Sequence, residues 1–175
     1  MKTPLLLLPG LLADERLFAP QVEGLSDIAQ VIVADLTGAD TIAALAAASI
    51  AGMPPGRFAV AGLSMGGYVA LEIARQAPER VAAIALLNTT ARADPPEAIA
   101  NRRRLIAVAE EDFAAVNRAL VPRLLHPDHQ NDGRLVGLLD DMANAVGLVA
   151  FKRQQEAIIG RLDSRGFKVA DVRYV

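Results

Sequence analysis

Short apolar runs alternate with longer helical segments through the first half of the 175-residue chain. Four such runs occur, at residues 5–8, 31–36, 58–63 and 81–87. Their length and uninterrupted apolar character are typical of strands that are buried on both faces. Because strands that alternate with helices form parallel sheets with right-handed crossovers, we predict an α/β fold in a single domain.

Helices are predicted between these strands and throughout the region after Asn88. Asp40 is the candidate N-cap of a helix at residues 42–52, and residues 65–76 carry apolar side chains near helical spacing. The later helices are predicted at residues 95–111, 113–125, 132–146 and 148–162, with breaks at Pro122, Pro127 and Gly147. We therefore divide the domain into a core (residues 1–94), a helical cap (residues 95–162) and a C-terminal segment (residues 163–175).

The segment AGLSMGG, residues 61–67, has a serine with glycines two positions before and two positions after it. It lies between a predicted strand and a predicted helix. A serine in this context is typical of a nucleophile elbow, where the backbone is strained and side chains at the two flanking positions would collide with their neighbours. Ser64 is therefore a candidate nucleophile, and a glycine-rich turn without chemistry is the alternative.

A serine nucleophile needs a general base and hydrogen-bond donors directed at the oxyanion that forms. One donor at an elbow is the backbone N–H of the residue after the serine, here Met65, and the other comes from the loop after an earlier strand. The Pro9-Gly10 turn after the first strand allows a close backbone approach, which makes the Leu11 N–H the second candidate. The alternative is an ordinary strand-ending turn.

The chain has two histidines, His126 and His129, and both lie in LLHPDHQND within the predicted cap. A general base must come within about 3 Å of the serine hydroxyl, directly or through one water. We expect both histidines to be polar residues at a break between helices. A metal site formed with Asp128 is disfavoured, because no further ligand cluster accompanies it.

Composition bears on which partners the protein has. The formal net charge of -2 gives no basic field for a nucleic acid, so we expect no nucleic-acid partner. Three consecutive arginines, Arg102 to Arg104, could bind an anion, but they point in different directions around a helix, so we expect a solvated cap face. The absence of cysteine excludes disulfides and thiolate chemistry.

The opening MKTPLLLLPGLLADE lacks the pattern of a secretory signal, because Pro9-Gly10 interrupts the apolar run and acidic residues stand where cleavage would occur. The longest nearly uncharged stretch, residues 41–53, is shorter than the ~20 residues of a membrane span. We expect a cytoplasmic protein without a membrane partner.

The segments PGLLADERLF, GLSMGGYVALEIARQAPERV and AAIALLNT resemble the α/β-hydrolase fold, in its compact, capped, esterase-like branch. The resemblance covers nearly the whole chain, although the branch more often has histidine at the position of Pro9. It implies a serine hydrolase of small acyl esters or related carbonyl substrates that forms an acyl-enzyme on Ser64. It also implies oxyanion donors at Leu11 and Met65 and no cofactor. Cofactor-free peroxidation and carbon–carbon hydrolysis use the same elbow and stay open.

In the family the acid and the histidine of the triad follow the nucleophile, after two further strands beyond the cap. The chain ends in VADVRYV, which resembles only the approach to the first of those strands, and Asn88 occupies an alternative acid position. We therefore expect a chain that is truncated before the triad acid and histidine and is weakly active at most. The alternative is a catalytically inactive fragment or a non-enzymatic binding module of the same fold.

Loss of those strands would leave the strand at residues 81–87 with an unpaired edge. Residues 167–175 have the β-branched and aromatic content that suits a covering strand, within the chain or exchanged with a second copy. Besides a small-molecule substrate, we therefore expect a homodimer through this edge or segment, or else aggregation.

Overall fold

A computed structural model of the protein describes residues 2–167 and 173–174. The strands are β1 (Thr3–Leu8), β2 (Ala29–Val33), β3 (Phe58–Leu63), β4 (Val81–Leu87) and β5 (Arg173–Tyr174). The helices are α1 (Ala19–Gly24), α2 (Ile42–Ala51), α3 (Met65–Gln76), α4 (Pro96–Glu111), α5 (Phe113–Leu124) and α6 (Gly133–Ile159). Short 3₁₀ turns lie at Glu15–Phe18, Pro78–Arg80 and Pro127–His129.

All five strands are parallel and form one sheet in the order β2-β1-β3-β4-β5. The predicted α/β fold with a parallel sheet is confirmed, and the bounds of β3, β4 and α3 are those predicted. Because the strands are parallel, all their carboxyl ends meet at one edge of the sheet, where loops from different strands come together.

Two local predictions in the first half of the chain are wrong. The second strand does not extend over residues 34–36 as predicted, because β2 covers Ala29–Val33 and the Asp35 carboxylate accepts a hydrogen bond from Thr37 N–H at 2.9 Å. This local turn replaces the strand ladder. Asp40 is not the N-cap of α2, since the Thr41 hydroxyl accepts the hydrogen bond from Ala44 N–H at 3.2 Å.

The apolar side chains form two clusters that meet at the loop after β1. The larger cluster packs the sheet against α2 and α3, and the smaller one joins α4, α5 and α6 to Leu12. Leu11 is partly buried and packs against both clusters. The three later helices therefore rest on a loop at the carboxyl edge of the sheet.

A kink divides α6 where the sequence predicts a break. Gly147 has φ 73° and ψ 167°, which is a non-helical conformation between the two helices predicted there. Pro122 is not a break in α5, because the helix continues through it for two residues and ends at Leu124.

A buried ion-pair network joins Asp94, which precedes α4, to Arg161, which follows α6. The Asp94 carboxylate accepts hydrogen bonds from Arg161, at 2.6 Å, and from Arg102, which also donates to Gln155 Oε1 at 3.0 Å. The Arg161 guanidinium lies 4.2 Å from the Tyr68 ring centroid on α3. The expectation of a solvated face is therefore wrong for Arg102 and holds only for the two arginines after it, which are exposed.

The edge of β4 is partly covered within the chain. Ala83 pairs with Arg173 and Ile84 pairs with Tyr174, so β5 lies parallel to β4 at two positions. This is one of the two coverings that the sequence suggests, and exchange with a second copy stays a prediction. Residues 168–172 and 175 of the predicted covering segment lie outside the described residues. Of the helices in the described ranges, none combines the length and apolar character needed to cross a membrane.

Candidate active site

Ser64 stands at the turn that joins β3 to α3, with φ 52° and ψ −112°. Its N–H donates to the Leu87 carbonyl at 2.9 Å, which connects it to the end of β4. Its own carbonyl accepts hydrogen bonds from Gly67 N–H at 3.0 Å and from the Thr89 hydroxyl at 2.7 Å. The strained backbone of this serine is therefore held by the neighbouring strand and its loop.

The glycines around Ser64 have a steric reason. A Cβ at Gly62 would lie 2.2 Å from the Gly66 carbonyl oxygen, and a Cβ at Gly66 would lie 2.0 Å from the Leu8 carbonyl oxygen. A Cβ at Gly67 would meet the Thr89 side chain at 2.5 Å. Since two of these contacts are with backbone, only glycine fits at positions 62 and 66.

The loop after β1 passes beside the serine. An ideal Cβ at Gly10 would be 3.7 Å from Ser64 Cβ, so the Pro9-Gly10 turn lies against the elbow. Leu11 follows directly, and its N–H donates to no acceptor among the described residues. Met65 is the first residue of α3, where an N–H has no acceptor within the helix. Both candidate oxyanion donors thus belong to backbone segments that adjoin Ser64.

Positive φ values occur at three non-glycine residues of the described chain: Leu12 (58°), Ser64 (52°) and Asn88 (43°). Each follows the carboxyl end of a strand, β1, β3 and β4 respectively. Backbone strain of this kind persists where the surrounding structure enforces it and is concentrated at functional sites. Its position at one edge of the sheet marks that edge as the candidate site.

Neither histidine bonds to the serine. His126 and His129 are exposed at the 3₁₀ turn between α5 and α6, where His126 Nδ1 lies 3.5 Å from the Asp128 carboxylate. Among the described residues, the Ser64 hydroxyl makes no hydrogen bond to a side chain. The same residues contain no group of three His, Asp or Glu side chains arranged to hold a metal.

Two residues that hold this site were missed by the sequence analysis. Thr89 anchors the Ser64 carbonyl, and Gln154 Oε1 accepts a hydrogen bond from Leu12 N–H at 3.1 Å. The spacing of Gln154 from Ala150 and Phe151 puts it on the apolar face of α6, and that spacing was the available signal. Nothing in the local sequence around Thr89 indicates its bond to Ser64.

The described residues form a cavity of about 330 Å³ at the carboxyl edge of the sheet. It lies between the loop after β1, the loop after β2 and α6, and Asp14, Asp35 and Val146 are among its lining residues. Hydrogen bonds from Arg16 hold the pKa of Asp14 below its ordinary value. Ser64 does not line this cavity.

Comparison with known proteins identifies the class. Residues 3–145 match the family model described as the alpha/beta hydrolase fold. The chain therefore belongs to the α/β-hydrolase family, as its motifs indicate. No curated protein sequence matches the chain.

Solved structures agree with the family. A thermophilic esterase from Thermogutta terrifontis superimposes with a TM-score of 0.88 at 25% identity, over 100% of this chain and 80% of its own. The enol-lactonase from Burkholderia xenovorans LB400 gives a TM-score of 0.85 at 23% identity, over 100% of this chain and 82% of its own. A hydrolase from Pseudomonas aeruginosa PA01 gives a TM-score of 0.83 at 20% identity, over 99% of this chain and 81% of its own. The family and these neighbours support hydrolase activity.

Proposed function

We propose that the protein is a serine hydrolase in which Ser64 attacks the carbonyl carbon of small acyl esters or related carbonyl substrates. The observation that carries this proposal is the elbow itself, with Ser64 at φ 52° between two glycines that admit no side chain. A strained serine at the carboxyl edge of a parallel sheet is the arrangement that exposes a nucleophile to substrate.

The reaction proceeds in two stages. Ser64 Oγ bonds to the carbonyl carbon and loses its proton to water, because the described residues place no base at the serine, and the oxyanion accepts hydrogen bonds from the N–H groups of Leu11 and Met65. Collapse of this intermediate breaks the bond to the leaving alcohol, which takes up a proton. Water then hydrolyses the acyl-enzyme and restores the serine.

The substrate class rests on one comparison. The Thermogutta terrifontis protein, which is 25% identical, is an esterase. Small acyl esters are therefore the first substrates to test.

The absence of a hydrogen bond between Ser64 and a base in the described residues favours slow turnover by this chain. An elbow with oxyanion donors alone retains about 10³ to 10⁴-fold acceleration over water. The same observation favours the second candidate, an inactive fragment or a binding module of the same fold. Activity that depends on Ser64 distinguishes the two.

Hydrolysis of p-nitrophenyl acetate by the 175-residue chain tests the proposal. We expect slow release of p-nitrophenol that Ser64→Ala abolishes. Ser26→Ala is the matched control, because Ser26 is exposed in the loop before β2 and the change should leave the rate unaltered. Equal rates for wild type and Ser64→Ala would refute the nucleophile and favour the binding module.

Fast turnover would point instead to a base within the chain. In that case His126→Ala and His129→Ala, measured separately, would identify it by loss of rate. We expect both variants to match the wild type, since both side chains are exposed.

A further inference from the structure

Gln154 is a fully buried polar side chain that joins α6 to two loops of the sheet. Its Oε1 accepts the hydrogen bond from Leu12 N–H at 3.1 Å, and its Nε2 donates to the Leu36 carbonyl at 3.1 Å. The first contact lies in the loop after β1 and the second in the loop after β2. One amide therefore ties the helical region to the carboxyl edge of the sheet.

The two contacts fix the orientation of the amide. Rotation of the amide group by half a turn would direct Nε2 at the Leu12 N–H and Oε1 at the Leu36 carbonyl, so both hydrogen bonds would be lost. A buried donor or acceptor without a partner is costly. Gln154 consequently has one arrangement in which its polar atoms are all satisfied.

The contact with Leu12 is made where the backbone is strained. Leu12 has φ 58°, a conformation that a leucine rarely adopts, and its side chain is buried in the cluster of α4, α5 and α6. Leu11 precedes it, and Gly10 lies against Ser64. The bond to Gln154 therefore holds the residue next to the proposed oxyanion donor.

We propose that Gln154 is a positioning residue for hydrolysis, which holds the backbone at Leu11 and Leu12 in the conformation that the oxyanion requires. This role rests on the proposed function of Ser64. Gln154 itself touches neither the nucleophile nor the oxyanion. It acts through the Leu12 N–H, so the geometry of the loop after β1 depends on how α6 packs against that loop.

Gln155 provides a matched control. It is the next residue of α6 and is equally buried, but its Oε1 accepts from Arg102 and not from the loop after β1. The variants to compare are Gln154→Met, which removes both hydrogen bonds at similar volume, Gln154→Asn, which keeps the amide but shortens its reach, and Gln155→Met.

Two measurements are made on each variant in the full chain: amide hydrogen exchange by NMR and the rate of Ser64 acylation by p-nitrophenyl acetate. We expect Gln154→Met to accelerate exchange at Leu12 about tenfold, while the Ser64 N–H, bonded to Leu87, keeps its protection. The maximal rate should fall about tenfold with KM unchanged, since loss of one oxyanion donor reduces rates by ~10² to 10³ and displacement is milder.

Gln154→Asn should change the Leu12 exchange and the acylation rate in the same directions, and it is the variant to measure if Gln154→Met does not fold. Gln155→Met should leave the exchange of the Leu12 N–H, the maximal acylation rate and KM unaltered. Equal effects of Gln154→Met and Gln155→Met, or a rate loss accompanied by a raised KM, would overturn the positioning role. Faster Leu12 exchange in Gln154→Met together with no acylation of wild-type Ser64 would instead refute the proposed function and leave the loop contact standing.

Discussion

At the scale of single residues, the candidate site is defined by backbone that few side chains tolerate. Ser64 is held at φ 52°, and each flanking glycine lies so close to a backbone carbonyl that a methyl group would overlap it. These constraints are steric, and the residues that satisfy them lie within one short motif, which is why the pattern of residues 62–66 could be interpreted from the sequence.

Gly66→Ala tests the steric requirement. The added Cβ would lie 2.0 Å from the Leu8 carbonyl oxygen, and β1 must shift to admit it. We expect a loss of at least about 3 kcal/mol in the free energy of unfolding, at the upper end of overpacking effects. Denaturant titration measures it.

Gly38→Ala is the control for that change. A Cβ at Gly38 meets no atom of the described residues within 4 Å, so the free energy of unfolding should be unchanged or rise by up to about 1 kcal/mol. A Gly66→Ala protein as stable as Gly38→Ala would contradict the close approach of the elbow to β1.

Other residues of the site were beyond prediction, because their roles depend on contacts between distant parts of the chain. Thr89 meets Ser64 only when β3 and β4 pair, and Gln154 meets Leu12 only when α6 closes over the sheet. The local sequence pattern indicates neither of these contacts. The oxyanion roles of Leu11 and Met65 stay predictions until a rate is measured.

At the scale of elements, apolar runs and helical periodicity predicted the strands and helices well where no side chain accepts a hydrogen bond from a backbone N–H group near the ends of the element. β3, β4 and α3 have the predicted bounds, since both strands lie between polar residues and α3 lies between the turn at Ser64 and Pro78. Prediction failed at the carboxyl end of β2 and at the N-cap of α2, where the side chains of Asp35 and Thr41 accept hydrogen bonds from nearby backbone N–H groups.

The kink of α6 gives a prediction at this scale. Gly147 has φ 73° and ψ 167°, a region that is essentially restricted to glycine. We expect Gly147→Ala to destabilise the protein by about 1–3 kcal/mol. Thermal unfolding followed by circular dichroism measures the change.

Gly137→Ala, in the same helix, should have the opposite sign. A Cβ added at Gly137 meets no atom of the described residues within 4 Å, and the residue lies in regular helix, so alanine should stabilise the protein by about 0.5–1 kcal/mol. Stabilisation by both substitutions would show that α6 is straight at Gly147.

At the scale of the whole molecule, the residues that flank α4 to α6 are joined by the pair Asp94–Arg161. The Asp94 side chain is 8% exposed and that of Arg161 is 4% exposed. Burial alone would raise the pKa of Asp94, but hydrogen bonds from Arg161 and Arg102 outweigh it, and the pKa lies below its ordinary value. The ionised carboxylate therefore stabilises the fold.

Asp94→Asn should lower the free energy of unfolding at pH 7 by about 3 kcal/mol, because it leaves a buried arginine without its anion. Since the folded-state pKa is lowered, this stabilisation is fully present above the ordinary value of 3.8 and is lost as the pH falls through the folded-state pKa. The gap between the wild type and Asp94→Asn should therefore narrow only below about pH 4.

Asp27→Asn is the control, because Asp27 is exposed in the loop before β2, and the change should have no resolvable effect on stability at pH 7. A gap between wild type and Asp94→Asn that stays constant down to pH 2 would exclude the charged pair as its cause.

The assembly of the molecule stays a prediction. β5 covers β4 at two positions within the same chain, which is one of the two arrangements that the sequence suggests. Light scattering at high concentration distinguishes a monomer, in which this covering suffices, from a dimer formed by exchange of the segment.

The central claim is that Ser64 is acylated by substrate, and trapping the acyl-enzyme tests it most directly. Because the described residues place no base at the serine, deacylation should be slow, so p-nitrophenyl acetate should leave one acetyl group per chain. Intact-protein mass spectrometry followed by peptide mapping should find the acetyl group on Ser64 in the wild type and none at that position in Ser64→Ala. Acetylation to the same extent in Ser64→Ala, or only at residues other than Ser64, would contradict the claim.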